Sequence, residues 1–374
     1  MSHPTQAGFL FNKTTIGNPS HNSRQPKLSV TGNKASTDSP TLNSYRLAMF
    51  LVEKANLSSP FRSTTKKSTH VPKSYQLAAR LFDEKVILHL KTLDLTENSS
   101  SVSLSWLSAA VSFLSTVHTE AEEQISNLKS EADDFQALYM DYSMKVLDLC
   151  NLISSAVHRL TDRRLLLNFS LRLLNFTDQM PSHEKLNKAK DALARSVNDT
   201  QEPAEEKGLR AKALIEELAV LLGKLTCGKT SGGRDLIRRT FYGLGLLTLL
   251  VGGVLVTVMF GETDAVKLPV PAEFLWSDSV NGVHSRIFDL IKPKYNALLE
   301  IDNVSRQAVV VRDLLQTVVS DGGDNADVRV RLEAGVKELA SSAKKFSDGI
   351  DGLTNEVNGL FRSVLKTRNG RLDV

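Results

Sequence analysis

The feature that most constrains this sequence is a run of 21 residues without a charged side chain, from Phe241 to Gly261. The run contains six Leu, four Val and two Phe residues. As a helix it is long enough to cross the roughly 30 Å hydrocarbon layer of a membrane. Its large apolar side chains contribute about −4 to −7 kcal/mol toward insertion. The run therefore predicts one strongly apolar helix, which is a candidate transmembrane segment.

The charges that flank this run differ in sign. Arg234, Arg238 and Arg239 precede it, whereas Glu262 and Asp264 follow it. The positive-inside rule then places the N-terminal side of the helix in the cytoplasm. Basic side chains also attract anionic lipid headgroups. We therefore expect membrane lipids to contact the three arginines and residues 241–261, in a protein that is single-pass or peripheral.

A helix that is apolar on all sides also suits the interior of a helical bundle. Thr248 with Gly252, and Gly253 with Thr257, form pairs of small residues that let another helix approach closely. The alternative prediction is a soluble helical scaffold in which the apolar helix is internal.

Two earlier segments carry apolar residues at alternating three- and four-residue spacing, which is typical of one face of a helix. These segments are 104–128 and 135–160, and we expect them to pack as antiparallel neighbours. Further helices are predicted at 74–93, at 163–176, at about 184–196 and at about 208–222. In the first of these, Leu77, Leu81 and Leu88 form the apolar stripe, with Ser74 as a possible N-cap.

The same spacing continues through two C-terminal pieces of equal length, 278–318 and 328–368, which are joined by SDGGDN. Equal helices with a short Gly-rich connection favour an antiparallel hairpin. Pro293 is expected to kink the first arm without ending the apolar pattern. The predicted fold class is all-α: an elongated helical bundle with a long antiparallel heptad hairpin at the C-terminus and one strongly apolar helix.

Residues 1–71 are rich in Ser, Thr and Asn, with basic side chains in excess. This composition predicts a disordered basic tail, in which YRLAMFLVEKANL at 45–57 could form a short helix on a partner or membrane. It also resembles a plastid transit peptide, so the plastid is the alternative location. The predicted organisation is this tail, followed by an N-terminal helical bundle, the apolar helix and the C-terminal hairpin, at 1–71, 72–230, 234–262 and 270–374.

The stretch GKLTCGKT at 223–230 matches the spelling of a phosphate-binding P-loop, G-x-x-x-x-G-K-[ST]. A functional P-loop follows a buried strand and opens directly into a helix. Here the preceding residues have helical spacing, and Gly232 and Gly233 follow the motif. We therefore interpret the stretch as a loop between helices and predict no nucleotide cofactor.

No pattern of residues predicts a reaction. His118 occupies a seam position without a second metal ligand at suitable spacing, so it is interpreted as a core histidine. The two cysteines, Cys150 and Cys227, lie far apart. We predict no catalytic, cofactor-binding or metal-binding residues. The formal charge of +4 over 374 residues, without a recognised nucleic-acid motif, also predicts no nucleic-acid partner.

From about residue 74 to the end, the chain resembles the plant BYPASS family. The resemblance is carried by LSWLSAAVSFLSTVH, MDYSMKVLDLCNLISSAVHRL, RRTFYGLGLLTLLVGG, LPVPAEFLWSDSV and NEVNGLFRSVLKTRNGRL. It implies a plant-specific helical protein without known enzymatic activity. Such proteins act in root and shoot development by restraining a mobile, root-derived signal that arrests growth, and related members are linked to the exocyst.

The preferred hypothesis is a non-enzymatic, membrane-associated helical adaptor with protein partners, among them exocyst components. An enzyme acting on the route to the mobile signal is the competing hypothesis. The third is the soluble scaffold with residues 241–261 inside.

Overall fold

The computed structural model describes residues 73–93, 101–128, 135–176, 180–197, 202–225, 230–262, 270–291, 298–320 and 326–372. These residues lie within one compact unit. They are helical almost throughout, and among them the β-type pairing is an isolated bridge between Val102 and Leu298. The predicted all-α fold class is confirmed. The predicted tail at 1–71 lies outside the described residues.

Within the described ranges, the helices follow in chain order. They are α1 (Lys73–Leu90, with a 3-10 turn at Lys91–Leu93), α2 (Leu104–Ser126), α3 (Gln136–Leu173), α4 (His183–Val197), α5 (Glu202–Gly223), α6 (Gly233–Phe260), α7 (Ser277–Ile291), α8 (Leu299–Ser320) and α9 (Ala326–Leu372).

The core is the contact surface between the long C-terminal helix α9 and the helices from the N-terminal half. α9 packs against α2, α3 and α8, and its seam residues from Leu339 to Val364 are buried there. The heptad seam of α9 therefore packs against other helices of the same chain. Because α8 and α9 are joined by five residues, they form an antiparallel pair, in which Gly335 lies against Val311.

The first arm of the predicted hairpin is divided. α7 ends at Ile291 and α8 begins at Leu299, and they pack in different places: α7 against α1 and α6, α8 against α4 and α9. Residues 278–318 therefore contain two described helices, α7 and α8, in place of a single first arm. Residues 292–297, which include Pro293, lie outside the described ranges.

Helices α2 and α3 are not the antiparallel neighbours that the sequence predicted. α9 packs along both of them, and they meet through His118 and Tyr139. The segments predicted at 135–160 and 163–176 form one continuous helix, α3, of 38 residues. The seams themselves are confirmed, because their positions from Leu104 to Ile125 and from Tyr142 to Ala156 are buried.

The predicted stripe of α1 is wrong. Leu77, Leu81 and Leu88 are exposed, whereas Phe82 and Val86 on the opposite side of the helix enter the core. The helix has two apolar faces, and the tertiary contacts of α1 with α2 and α6 decide which one is buried. Ser74 lies inside the first turn, because the helix begins at Lys73.

Candidate functional site around the apolar helix

The apolar helix α6 is the central element of the candidate site. It is the one described helix whose length and composition suit a membrane span, and an 18-residue stretch of it has a mean hydropathy of 2.3. In the folded chain, however, 83% of that stretch is buried. Helices α1, α2, α3, α5 and α7 contact it. A core helix of a bundle has this environment.

The N-terminus of α6 is closed by the protein itself. Gly232 is the N-cap residue, and the backbone N–H of Ser231 donates to the Asp235 carboxylate at 3.0 Å. The N-terminus of a helix stabilises an anion, because the first N–H groups of the helix have no hydrogen-bond partner within it. Here a side-chain carboxylate supplies the negative charge.

This geometry bears on the P-loop spelling at 223–230. The element before it is helix α5, as predicted, and α6 begins three residues after Thr230. The lysine of the motif, Lys229, lies outside the described residues. In a P-loop the phosphate would meet the N-terminus of the following helix, whereas the carboxylate of Asp235 lies at this end of α6.

The three arginines of the predicted lipid contact lie in two environments. Arg234 and Arg238 are exposed on the first turns of α6, but Arg239 is 8% exposed and faces the core. Arg239 thus lies apart from the other two. Of the three arginines, Arg234 and Arg238 are the ones exposed to solvent.

Arg239 belongs to a buried polar cluster that we call the arginine node. Its guanidinium donates two hydrogen bonds to the Asp83 carboxylate of α1, at 3.0 and 2.7 Å, and a third to the Glu273 carbonyl at 3.0 Å. The Trp276 indole N–H donates to the same carboxylate at 3.2 Å. The guanidinium also lies 4.4 Å from the ring centroid of Phe274. The node joins α1, α6 and the segment before α7.

The arginine node was not predicted. One signal was available, because Asp83 lies beside Phe82 and three residues before Val86 on the buried face of α1. A carboxylate in such a position needs a cationic partner. The sequence offers several candidate cations, and the tertiary structure selects Arg239.

Other helices approach the middle of α6 closely. The Tyr142 hydroxyl and Thr248 Oγ1 are hydrogen-bonded at 2.7 Å. A Cβ atom built on Gly252 would lie 2.8 Å from Ile215 Cδ1 of α5 and 3.0 Å from Leu149 Cδ2 of α3. The close approach predicted at Thr248 and Gly252 is therefore present, and its partners are helices of the same chain.

The C-terminus of α6 is also held by this chain. Gly261 adopts a left-handed conformation with φ of 77°, which ends the helix. The Arg159 guanidinium of α3 donates to the Met259 carbonyl at 3.4 Å and lies 5.5 Å from the Phe260 ring centroid. Lys212 of α5 pairs with Glu262 at 3.8 Å. A cation at the C-terminal end of a helix interacts favourably with the helix dipole.

A second polar cluster surrounds His118, which the sequence analysis interpreted as a core histidine. The residue is 1% exposed, and its Nε2 is hydrogen-bonded to the Tyr139 hydroxyl at 3.0 Å. Its Nδ1 has no hydrogen-bond partner among the described residues. Burial lowers the pKa of His118 to about 4, and the positive charge of Arg371 contributes in the same direction. The imidazole is therefore neutral at pH 7.

Arg371, in the last turn of α9, covers this cluster. Its guanidinium donates to Glu122 at 2.6 Å and lies 4.7 Å from the Tyr139 ring centroid. The side-chain amide of Gln136 donates to the Arg371 carbonyl at 2.7 Å. These contacts fasten the end of α9 to α2 and α3.

Two further titratable groups lie in the core near α6. Burial raises the pKa of the Cys150 thiol to about 12, and burial also raises the pKa of the Tyr142 hydroxyl. A thiol with a raised pKa is a poor nucleophile, because the thiolate is the reactive form. Cys227 lies outside the described residues. In the described part of the chain, no cluster of three His, Cys, Asp or Glu side chains suits a metal ion.

The buried polar groups thus form hydrogen bonds with one another between packed helices. The described helices define an all-α protein assembled around one enclosed apolar helix. Comparison with known proteins supports the resemblance found in the sequence. The chain is similar to BYPASS-related proteins.

The family model that matches is described as Protein ROH1-like, and it covers residues 217–374. This range begins near the end of α5 and includes α6 to α9. Protein BPS1, chloroplastic, of Arabidopsis thaliana is 25% identical over 324 residues, which is 84% of this chain and 88% of that protein.

UPF0496 protein 4 of rice is 29% identical over 239 residues, in both the japonica and the indica subspecies. The match covers 61% of this chain and 51% of the rice protein, so this chain spans about half the length of these relatives. No solved structure matches the chain significantly.

Proposed function

We propose that this protein is a non-enzymatic helical adaptor in plant root and shoot development, and that it acts with α6 inside the bundle. The observation that supports this most directly is the enclosure of α6 together with the buried titratable groups. His118, Tyr142 and Cys150 are each at most 2% exposed and lie between packed helices. These groups stabilise helix contacts in the proposed protein.

The protonation of these groups supports the same proposal. A general acid or base works best when its pKa lies near the working pH. The pKa of His118 is lowered to about 4 and that of Cys150 is raised to about 12, so both pKa values lie further from pH 7 than the ordinary values do. Both groups are uncharged at pH 7, as a closed helical core requires.

An adaptor needs an outer surface for its partners, and we place one on α3. Leu165 and Phe169 are 60% and 49% exposed, and they share a face because they are four residues apart. Arg172 is exposed one turn further on. Phe and Arg are among the residue types enriched in the buried cores of protein interfaces.

The role of the adaptor in the plant follows from the resemblance to BYPASS proteins. We propose that it restrains a mobile, root-derived signal that arrests growth, through protein partners that include exocyst components. These partners would bind the outer helix faces, because the heptad seams are buried within the chain.

The proposal is tested by complementation of Arabidopsis plants that lack Protein BPS1. We expect the full chain to restore shoot growth, and His118→Gln and Cys150→Ala to restore it equally if their melting temperatures are kept. Leu165→Asp with Phe169→Asp should fail, whereas Val330→Asp, at a residue 65% exposed on α9, should succeed. Loss of rescue in a folded Cys150→Ala or His118→Gln protein would favour the enzyme hypothesis.

Membrane attachment is the second candidate function, favoured by the apolar character of α6 and by exposed Arg234 and Arg238 at its start. In the folded bundle these two arginines permit peripheral binding to anionic headgroups, with the cytoplasmic side at the N-terminal end of α6. Insertion of residues 241–261 would require α6 to leave its contacts with α1, α2, α3, α5 and α7. The plastid is the alternative location, since the Arabidopsis relative is named chloroplastic.

Fractionation of the tagged full-length protein separates these locations. A soluble fraction, or a membrane fraction that carbonate releases, supports the enclosed helix. Carbonate-resistant pelleting with protease protection of one terminus would show that α6 spans the membrane. Cofractionation with intact plastids, with loss of the N-terminal tail, would show import.

A further inference from the structure

Two basic side chains at the C-terminal end of α6 have no carboxylate partner among the side chains that the structure describes. Arg159 of α3 donates to the Met259 carbonyl at 3.4 Å and lies 5.5 Å from the Phe260 ring centroid. Lys207 of α5 donates to the Ser155 hydroxyl at 2.6 Å. We call Arg159 and Lys207 the basic pair. Both side chains are half-buried, so a ligand can reach them from solvent.

The basic pair lies around one small region between α3 and α5. Ser155 and Arg159 are four residues apart on α3 and are therefore neighbours on one face of that helix. A Cβ atom built on Gly208, the residue after Lys207, would lie 3.3 Å from Phe260 Cβ. Both helices thus meet at Phe260. Because the Ser155 hydroxyl accepts its hydrogen bond from Lys207, the hydroxyl hydrogen remains available to a ligand.

Arg159 also has an unused hydrogen-bond donor. Its Nη1 atom is buried and has no hydrogen-bond partner among the described residues. The hydrogen bond from its Nη2 atom is 3.4 Å long, beyond the usual range of about 2.7–3.2 Å. A buried N–H group without a partner costs free energy, and the cost is larger for a charged group. An anion beside the guanidinium would remove this cost.

The C-terminus of α6 does not account for the basic pair. The last carbonyl groups of a helix carry about half a negative charge. Glu262 adds a full negative charge beyond this end, but Lys212 already pairs with it at 3.8 Å. The basic pair therefore leaves an excess of about 1.5 positive charges over the helix dipole. A phosphate monoester such as phosphoserine carries about −1.5 to −2 charges at pH 7, which matches this excess.

We propose that the basic pair and the Ser155 hydroxyl bind a phosphate monoester. The three oxygens of this group are strong acceptors, and the site offers a guanidinium, an ammonium and a hydroxyl as donors. Hydrogen bonds from charged donors to phosphate are about twice as strong as neutral ones. A phosphorylated small molecule and the headgroup of phosphatidic acid both present a phosphate monoester.

The phosphate site is separate from the surfaces of the proposed function. α6 has 28 residues and is therefore about 42 Å long, with Arg234 and Arg238 on its first turns and the phosphate site at its other end. Leu165 of the proposed adaptor surface lies on α3 but on a different side of that helix from Arg159, since six residues separate them. Binding of a phosphate monoester is thus independent of the adaptor surface.

Two probes test the proposal on the folded full chain. One is glycerol 3-phosphate, measured by titration calorimetry, and the other is cosedimentation with vesicles of phosphatidylcholine and phosphatidic acid. Glycerol 3-phosphate is the free form of the same headgroup, so the two probes distinguish a soluble ligand from a lipid. We expect Arg159→Gln and Lys207→Gln each to weaken binding about tenfold, because each removes a charge-assisted hydrogen bond.

Arg210→Gln is the matched control for these substitutions. Arg210 lies one turn after Lys207 on α5, is exposed, and pairs with Glu217 at 3.4 Å. Its loss removes the same charge from the same helix and should change binding by less than about twofold. Basic residues elsewhere in the chain act equally in all these proteins, so the differences in affinity report the proposed site. Circular dichroism melting shows that each variant is folded, and half-buried Lys207 provides a test that does not depend on Arg159.

Binding of either probe that Arg159→Gln and Lys207→Gln weaken, and Arg210→Gln does not, supports the site. Binding of the vesicles without binding of glycerol 3-phosphate would identify a lipid headgroup as the ligand. The proposal is overturned if neither probe binds the wild-type chain, or if the folded variants bind as tightly as wild type. It is also overturned if phosphatidylserine vesicles, in which the phosphate is a diester, bind equally well with the same response to the substitutions.

Discussion

Asp83 and Arg239 lie 156 residues apart in the sequence and form a bidentate ion pair inside the folded chain. Their side chains are 2% and 10% exposed. The Trp276 indole and the Leu275 backbone N–H complete the hydrogen bonding of the carboxylate. The pair therefore connects the start of the apolar helix to α1 and to the segment before α7, and it exists only while α6 is inside the bundle.

Asp83→Asn is expected to destabilise the folded protein by about 3 kcal/mol, because removal of one partner leaves a buried charge uncompensated. Urea denaturation followed by circular dichroism measures the change. Glu84→Gln is the control: Glu84 is the next residue, 49% exposed, and its loss should change stability by less than about 0.5 kcal/mol. Equal stability of the Asp83→Asn protein and wild type would contradict the enclosed position of α6.

His118 predicts a pH dependence of stability. Its pKa is about 4 in the folded protein, against an ordinary value of 6.5, so the unfolded chain binds the proton more readily. The contribution of the neutral imidazole to the free energy of unfolding is complete above pH 6.5 and is lost as the pH falls to about 4. The difference corresponds to about 3 kcal/mol.

Denaturation of wild type and His118→Gln between pH 7 and pH 4 measures this contribution. Carboxylates titrate in the lower part of the same range in both proteins, so the difference between them isolates the histidine. We expect wild type to lose more stability than His118→Gln over this interval. Parallel curves would show that the imidazole is protonated, or exposed, in the folded chain.

Two glycines of α9 predict opposite effects of the same substitution. A Cβ atom on Gly349 would lie 2.8 Å from Leu104 Cβ of α2, which cannot move without its helix. Gly349→Ala should therefore destabilise the protein by about 1 to 2 kcal/mol. At Gly359 no atom lies within 4 Å, and Ala should stabilise the helix by about 0.5 to 1 kcal/mol. Shifts of melting temperature with the same sign would contradict the packing of α9 on α2.

We expect the substitution Arg371→Met to destabilise the end of α9 locally. The substitution removes the ion pair with Glu122 and the contact with the Tyr139 ring, and should cost about 1 to 2 kcal/mol. It also removes the charge that helps to lower the pKa of His118, so the loss of stability between pH 6.5 and pH 4 should become smaller. Amide exchange of the last turn is the direct measurement.

Arg306→Met is the control for this change, because Arg306 is 66% exposed and pairs with Asp302 within α8. It should alter neither the exchange of the last turn of α9 nor the pH dependence. If Arg371→Met behaves like Arg306→Met, the C-terminal turn is not fastened as the structure shows.

Local apolar spacing determined most of the helices. The seams of α2, α3 and α9 are buried where the sequence placed them, because a three- and four-residue alternation produces one face of a helix in any fold. The same spacing did not distinguish the two apolar faces of α1, where Phe82 is buried and Leu81 is exposed. Both faces satisfy the pattern, so only contact with α2 and α6 chooses between them.

By itself, the sequence determined an all-α chain with one charge-free helix and a relationship to BYPASS proteins. The tertiary structure decided where that helix lies and which polar groups accompany it. The long charge-free run shows only that α6 is unfavourable in water. A helix that is apolar on all sides is found both in the core of a bundle and across a bilayer. The pairing of Asp83 with Arg239, the contact of Gly252 with Ile215 and the end of α9 over His118 depend on distances between remote segments, which local composition does not contain.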